Sequence, residues 1–254
     1  MQLDPTAAAA GARLTIHDTI GSTNAEGLAR AGAGERGPLW IVARQQSAGR
    51  GRRGRVWVSE PGNLYASLVL TDAAPPERFP ELSFVAALAL YDTLSGFAPG
   101  LSARLALKWP NDLLIDHSKL AGILVEGEGS TVVIGIGVNC IHHPDGTEFP
   151  ATDLAAVGVR ATPEHLFTPL SAAMASRLAQ WDRGAGFAAI RSNWLARARG
   201  LGKPIRVALA EQELTGQFET IDQGGRLVLR LADGAMRAIT AGDVFTGASL
   251  AARQ

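Results

Sequence analysis

The chain has a single cysteine, Cys140, and only three lysines among its 24 basic residues: Lys108, Lys119 and Lys203. One thiol cannot form an internal disulfide, and with scattered histidines it supplies no structural zinc site. The neighbours His142 and His143 therefore read as loop residues, and no metal ligands are expected. No run approaches the roughly 18–20 consecutive apolar residues of a membrane-spanning helix, so no membrane partner is expected. The amino-terminus, Met-Gln-Leu-Asp-Pro-Thr followed by four alanines, has neither the basic start nor the apolar stretch of a secretory signal. Together these absences lead to the expectation of a cytoplasmic protein. Net charge is missing too, since 24 Lys+Arg balance 24 Asp+Glu. A surface given over wholly to nucleic acid is thereby excluded.

What remains is a chain of 254 residues, 46% hydrophobic and rich in glycine, enough for one large domain or a domain with a small appendage. Residues 14–18 alternate like a strand, and Ser22-Thr23-Asn24 opens an Ala-rich helix, with Thr23 and Glu26 spaced as a capping box. Strands are expected over 39–43 and 64–70, then a core helix from Glu77 to about Phe97. Three β-like runs follow, 104–108, 120–126 and 131–138. A polar loop over 142–153 precedes helices at about 163–182 and 187–199. Beyond Gly200-Leu201-Gly202-Lys203-Pro204 come four short alternating segments, 205–210, 213–221, 226–231 and 235–240, parted by turn residues such as Asp222-Gln223-Gly224-Gly225. This pattern implies two domains, 1–200 and 201–254, the second a small β-barrel appended to an α/β body.

The loop from Gln45 to Arg55 contains Gly49, Gly51 and Gly54 at dinucleotide-site spacing. That reading needs a helix directly after the glycines and an acidic residue about 20 positions on. The β-like Val56-Trp57-Val58 follows instead, and no Walker motif exists anywhere. Four arginines in six residues also raise nucleic-acid binding, yet no helix-turn-helix signal or basic helix accompanies them. The third reading is a mobile loop closing on a phosphate-bearing ligand, with glycines letting the backbone approach and guanidinium forks neutralising oxyanions. A plain solvated basic loop is the bland alternative.

Two of the three lysines fall in one stretch, Lys108-Trp109-Pro110-Asn111-Asp112 running on to Lys119. A strand ending at Lys108, a Pro-Asn-Asp turn and a second strand beginning at Lys119 would form a hairpin with both lysines near one region of a sheet.

Five segments in order, Ser22-Thr23-Asn24, Gly49-Arg50-Gly51-Arg52-Arg53-Gly54, Lys108-Trp109-Pro110-Asn111-Asp112, Lys119-Leu120-Ala121-Gly122-Ile123-Leu124 and Gly135-Ile136-Gly137-Val138-Asn139, closely resemble the biotin-protein ligases over about residues 14–250. The resemblance implies an α+β fold: a mixed-sheet, class II synthetase-like catalytic domain packed with helices, plus a small C-terminal SH3-like β-barrel. It implies an ATP-dependent two-step reaction, biotin and ATP giving biotinoyl-5′-AMP and pyrophosphate, then acyl transfer to a lysine of a biotin carboxyl carrier domain. Mg2+ would accompany ATP. Ser22, Thr23, Asn24 and Gln46 are placed around the biotin head group, and Arg50, Gly51 and Arg52 over biotin and the adenylate phosphate. Lys119 falls beside the biotin carboxylate and α-phosphate, and Lys108, Asn111 and Asn139 join the nucleotide site.

The residue types suit those roles. Hydroxyl and amide side chains match the donors and acceptor of a ureido ring. Lys119 and Arg52 offset the repulsion between a carboxylate and a phosphate as they meet. Asp112 either orients or deprotonates the acceptor amine or simply forms a turn. Phe149 is the candidate to stack on adenine; which of Arg226, Arg230 or Arg237 reaches ATP is open, as is the choice between monomer and homodimer. Motifs that begin near residue 18 leave no room for a DNA-binding domain, so a ligase without repressor activity and without a DNA partner is expected. Two rivals stand against it: a lipoate ligase or octanoyltransferase of the same fold, with Cys140 as nucleophile in the latter, and a nucleic-acid-binding protein using the Arg loop.

Overall fold

The structure is a computed structural model and describes residues 1–147 and 149–246. Residues 247–254 of the expected second domain therefore lie outside the described residues.

Strand β1 (Arg13–Ile20) crosses over through helix α2 (Thr23–Gly32) into β2 (Leu39–Gln46), with which it pairs in parallel. From β2 the sheet continues antiparallel through β3 (Leu64–Thr71), β7 (Thr131–Val138), β6 (Ser118–Glu128), β5 (Asp112–Ile115) and β4 (Leu105–Lys108). A short helix α1 (Pro5–Ala9), not anticipated from the alanine run, precedes it; Asp4 caps its first turn and Pro5 opens it.

Alternation along the strands sorts the side chains between the two faces. Leu39, Ile41, Val69 and Val133 pack with Leu28 and Ala31 of α2. The intervening Trp40, Val42, Leu68, Val132 and Ile134 join the large core on the other face. There lie α3 (Glu81–Phe97), α4 (Pro163–Trp181) and α5 (Phe187–Leu195). Helix α3 is buried along most of its length because the sheet covers one side and α4 and α5 the other. Its first residue, Glu81, is itself buried, yet it accepts from Trp181 Nε1 (2.6 Å) and pairs with Arg78 (2.8 Å), so the charge is matched.

The region after residue 200 forms a second, five-stranded antiparallel sheet ordered β11 (Met236–Ile239), β10 (Leu227–Arg230), β9 (Glu213–Ile221), β8 (Pro204–Ala208), β12 (Asp243–Thr246). The fold is thus α+β, a helix-packed mixed sheet joined to a small β domain. Four of these strands coincide with the expected segments; β12, whose apolar content is only Val244-Phe245, was not anticipated. Trp109, fully buried, ties the two sheets by donating from Nε1 to the Gly225 carbonyl (3.1 Å).

One expected connection differs. The segment after Lys108 turns at once into β5, which begins at Asp112, and a second turn at Asp116-His117 leads into β6. Lys119 therefore stands on the third strand of a meander, not the second of a hairpin. The run Asp112-Leu113-Leu114-Ile115 is short, and the three residues after Asp112 are all apolar, with no alternation to mark it as a strand.

Candidate active site

Helix α2 aims its N-terminus at the centre of the main sheet. Ser22, not Thr23, is its N-cap, accepting from the Ala25 N–H (3.4 Å), while Glu26 pairs along the helix with Arg30 (2.7 Å). The expected capping box does not form: the cap falls one residue earlier, Thr23 is taken up by tertiary partners, and the N3 position from Ser22 is Ala25. Its N–H and Oγ1–H both donate to Gln46 Oε1 (2.8 and 3.1 Å), and Gln46 Nε2 donates to Ser59 Oγ (3.0 Å). Asn24 Nδ2 donates to Glu126 Oε2 (2.8 Å) and to the Leu124 carbonyl (3.2 Å), turning its Oδ1 to Ser67. Ser67 has one proton for two acceptors, Thr23 Oγ1 and Asn24 Oδ1, which leaves acceptor capacity for an arriving N–H.

The floor beside this network is bare. A Cβ on Gly135 would stand 2.3 Å from Asn24 Oδ1, and one on Gly137 would stand 2.6 Å from the Trp57 indole. The Gly-x-Gly run of β7 thus serves close approach of side chains over a sheet surface.

The Gly/Arg loop folds back on itself. Arg50 bridges to Val56, the Gly51 N–H donates to the Arg55 carbonyl (2.7 Å), and Arg53 takes a left-handed conformation (φ 57°). Val56-Trp57-Val58 is not a regular strand; it carries Trp57 across the glycine floor. Every arginine of the loop has a protein partner. Arg50 meets Glu126 (3.2 Å), Arg53 and Arg55 both meet Asp243 (3.1 and 2.7 Å), and Arg52 donates to Asn111 Oδ1 (3.2 Å). Burial pulls the Arg52 guanidinium below its usual value, a pull that Asp243 and Asp112 oppose.

Opposite the loop, Asp112 lies between both chemically suggestive lysines, 2.9 Å from Lys108 Nζ and 2.6 Å from Lys119 Nζ. Burial alone would raise this carboxyl, but the two ammonium groups overcome it and hold it at about 2. Asp112 is thus an ionised counter-ion at neutral pH as well as the first residue of β5. Lys108 also sits 3.4 Å above the Phe149 ring. Asn111 Nδ2 donates to the Ile123 carbonyl (2.6 Å) and Asn139 Nδ2 to the Thr152 carbonyl (3.0 Å), fixing the turn and the end of the 142–153 loop.

All thirteen residues named from the sequence, Ser22, Thr23, Asn24, Gln46, Arg50, Gly51, Arg52, Lys108, Asn111, Asp112, Lys119, Asn139 and Phe149, line one cavity of about 370 Å³. Its two ends differ: hydroxyls and amides at the α2 end, cations around Asp112 at the other. Sequence reasoning missed Trp57, Ser59, Ser67, Glu126 and Asp243. Trp57 had a visible signal, an aromatic directly after the arginines, whereas the others are ordinary polar residues until the sheet assembles. From the C-terminal sheet Asp243 and Val244 line the cavity, not Arg226, Arg230 or Arg237. Cys140 is fully buried, and burial pushes its thiol up to about 12, the opposite of an activated nucleophile. Among the described residues no group of three or more His, Cys, Asp or Glu is arranged to hold a metal ion. No described helix is long and apolar enough to cross a membrane.

Two family descriptions match the chain: the biotin/lipoate A/B protein ligase family over residues 28–140 and the biotin protein ligase C-terminal domain over 200–247. The chain is 46% identical to the biotin–[acetyl-CoA-carboxylase] ligase of Paracoccus denitrificans, covering 89% of this chain and 97% of that protein. Its identity to the Mycobacterium tuberculosis ligase of the same name is 34%, covering 91% and 88%. In fold it is similar to the Aquifex aeolicus biotin protein ligase solved with biotin and ATP (TM-score 0.77, 24% identity, 92% and 97% covered). The chain belongs to the biotin protein ligase family.

Proposed function

We propose that this chain activates biotin with ATP and transfers it to a lysine of a carboxylase's biotin carboxyl carrier domain. The observation that carries the reading is the two-ended cavity, neutral hydrogen-bonding groups at one end and Lys119, Lys108 and Arg52 around a buried carboxylate at the other. Biotin has that polarity, a ureido ring joined by an alkyl chain to a carboxylate. Thr23, Asn24 and Gln46 face the ring, with Ser22 capping the helix that presents them. The chain crosses the glycine floor under Trp57.

In the first step a biotin carboxylate oxygen bonds to the α-phosphorus of ATP and pyrophosphate departs. Lys119 and Arg52 stand where the two anions converge and stabilise charge on the phosphoryl oxygens. Asn111 and Asn139 shape the nucleotide end, and Phe149 offers a face to the base. Both cavity carboxylates are already paired with cations, which suits Mg2+ carried by phosphate oxygens and water as part of the nucleotide substrate. In the second step the acceptor amine attacks the acyl carbon, AMP leaves, and a proton is lost from the amine. The adenylate is already activated, so positioning and exclusion of water provide most of the gain. A carboxyl held at about 2 is a weak base, so Asp112 orients charge here instead of removing the proton.

The division at residue 200, a cytoplasmic setting and assembly as monomer or homodimer belong to the same reading. Its test is pyrophosphate release by the purified chain with ATP and biotin or lipoate, followed by mass spectrometry of an added carrier domain. Release with biotin and a carrier mass gain of one biotinoyl group support it; turnover with lipoate alone overturns it.

A further inference from the structure

The ligase reading leaves Phe245 unused, and its surroundings are unusual. It lies on β12 and is 3% exposed, yet it belongs to neither apolar cluster of the described residues, whereas its neighbour Val244 joins the large core. Phe245 is buried instead against Phe149, with the rings nearly parallel and 4.6 Å apart. The Arg206 guanidinium of β8 lies 4.0 Å from the Phe245 ring centre. Neither object leaves room for the other on one face, so they occupy opposite faces. By the same steric argument Lys108 Nζ, 3.4 Å above Phe149, covers the side that Phe245 does not. The result is a four-layer column, Lys108, Phe149, Phe245, Arg206, running from the cavity into the C-terminal sheet. Both ends are cations on aromatic faces, the favourable sense for a ring quadrupole.

The column decides where a base can go. Phe149 has one face committed to Phe245, and only Phe149 and Lys108 of the four line the cavity. An adenine can stack on Phe149 only from the Lys108 side, and Lys108 retains Asp112 as an anchor if its ammonium slides off the ring. The chain ends of the Phe149 loop are fixed elsewhere, Lys119 N–H donating to the Pro150 carbonyl (2.7 Å) and Thr152 N–H to the Lys119 carbonyl (3.0 Å). The ring itself has no such tether; its plane is set by Phe245. We infer that Phe245, backed by Arg206, is a positioning residue for the nucleotide, fixing Phe149 as a one-sided platform for the base. This inference rests on the ligase reading above.

The test compares Phe245→Ala, Phe245→Leu and Phe245→Tyr in the full chain, with KM for ATP and for biotin taken from pyrophosphate release. Loss of the stacked aromatic partner is expected to raise KM for ATP roughly 3- to 10-fold in the Ala and Leu variants. KM for biotin should stay within about 2-fold, and Tyr should restore the unaltered value. Leu keeps the apolar volume without a π face; if Leu matches the unaltered chain, or if both KM values rise together, the platform role is overturned. Arg206→Met is expected to give a smaller rise in KM for ATP alone and answers the question if Phe245→Ala does not fold. Phe149→Ala with unchanged KM for ATP would overturn the inference while leaving the ligase reading intact, since that reading stands or falls on biotin-dependent pyrophosphate release by the unaltered chain.

Discussion

Replacing Asp112 by Asn removes one negative charge from between two ammonium groups and changes little else in shape. Holding the carboxyl at about 2, below its usual value, corresponds to native-state stabilisation on the order of 2 kcal/mol. The variant also leaves Lys108, 6% exposed, without a counter-ion, and breaking a buried pair from one side costs about 3–5 kcal/mol. A loss on the order of 3 kcal/mol is therefore expected at pH 7, or roughly 6–12 °C in melting temperature for a chain of this size. The pH dependence has a definite sign. A carboxyl depressed in the folded state contributes fully above its unfolded pKa near 3.9, and its contribution is lost as pH falls towards about 2. The gap between unaltered chain and variant should thus be constant from pH 5 to 8 and close below pH 4. Urea unfolding followed by tryptophan fluorescence at several pH values measures it. Equal midpoints at pH 7, or a gap that does not narrow in acid, would refute the counter-ion argument.

Lys119→Ala should slow pyrophosphate release by well over ~10-fold, because it removes a cation proposed to stabilise the converging anions; an unaltered rate in a coupled phosphate assay would contradict that placement. Arg52→Gly should still form some biotinoyl-AMP but retain it poorly, since a guanidinium contact is lost along with the Asn111 hydrogen bond that seats the loop. Full retention on a desalting column would count against it. Gly135→Ala should raise KM for biotin with less effect on KM for ATP, since the new methyl group falls 2.3 Å from Asn24 Oδ1 and displaces that amide. Cys140→Ser should leave carrier labelling unchanged, because a fully buried thiol pushed up to about 12 takes no part in catalysis; loss of labelling without loss of folding would revive a thiol mechanism.

The site residues were legible because each motif binds a chemical need to a local constraint. Gly49 has no Cβ where one would strike the Trp57 carbonyl at 2.3 Å, and such constraints leave a spacing that can be read. The strand Asp112–Ile115 was not legible, since three apolar residues after a turn aspartate have no period. Ser22 displaced Thr23 as the cap for a reason outside the local sequence, the pull of Gln46 and Ser67 on the Thr23 hydroxyl.

Sequence alone determined the family, the mixed α+β architecture with a small β appendage, and the thirteen residues that share the cavity, because local pattern and residue chemistry specify which groups must be present. The neutral total of 24 against 24 also concealed a split the sequence itself reveals: five arginines in 44–55, leaving 19 basic against 24 acidic residues elsewhere. Only the tertiary structure decided how those charges are satisfied. Asp112 became the counter-ion of both lysines, Asp243 crossed from the second sheet to hold Arg53 and Arg55, and Phe245 came to lie on Phe149. Asp112 meets its lysines across neighbouring strands of the main sheet, whereas the Arg53–Asp243 pair joins residues 190 positions apart, which no local preference encodes. The Asp243 and Phe245 contacts follow from where the two sheets meet.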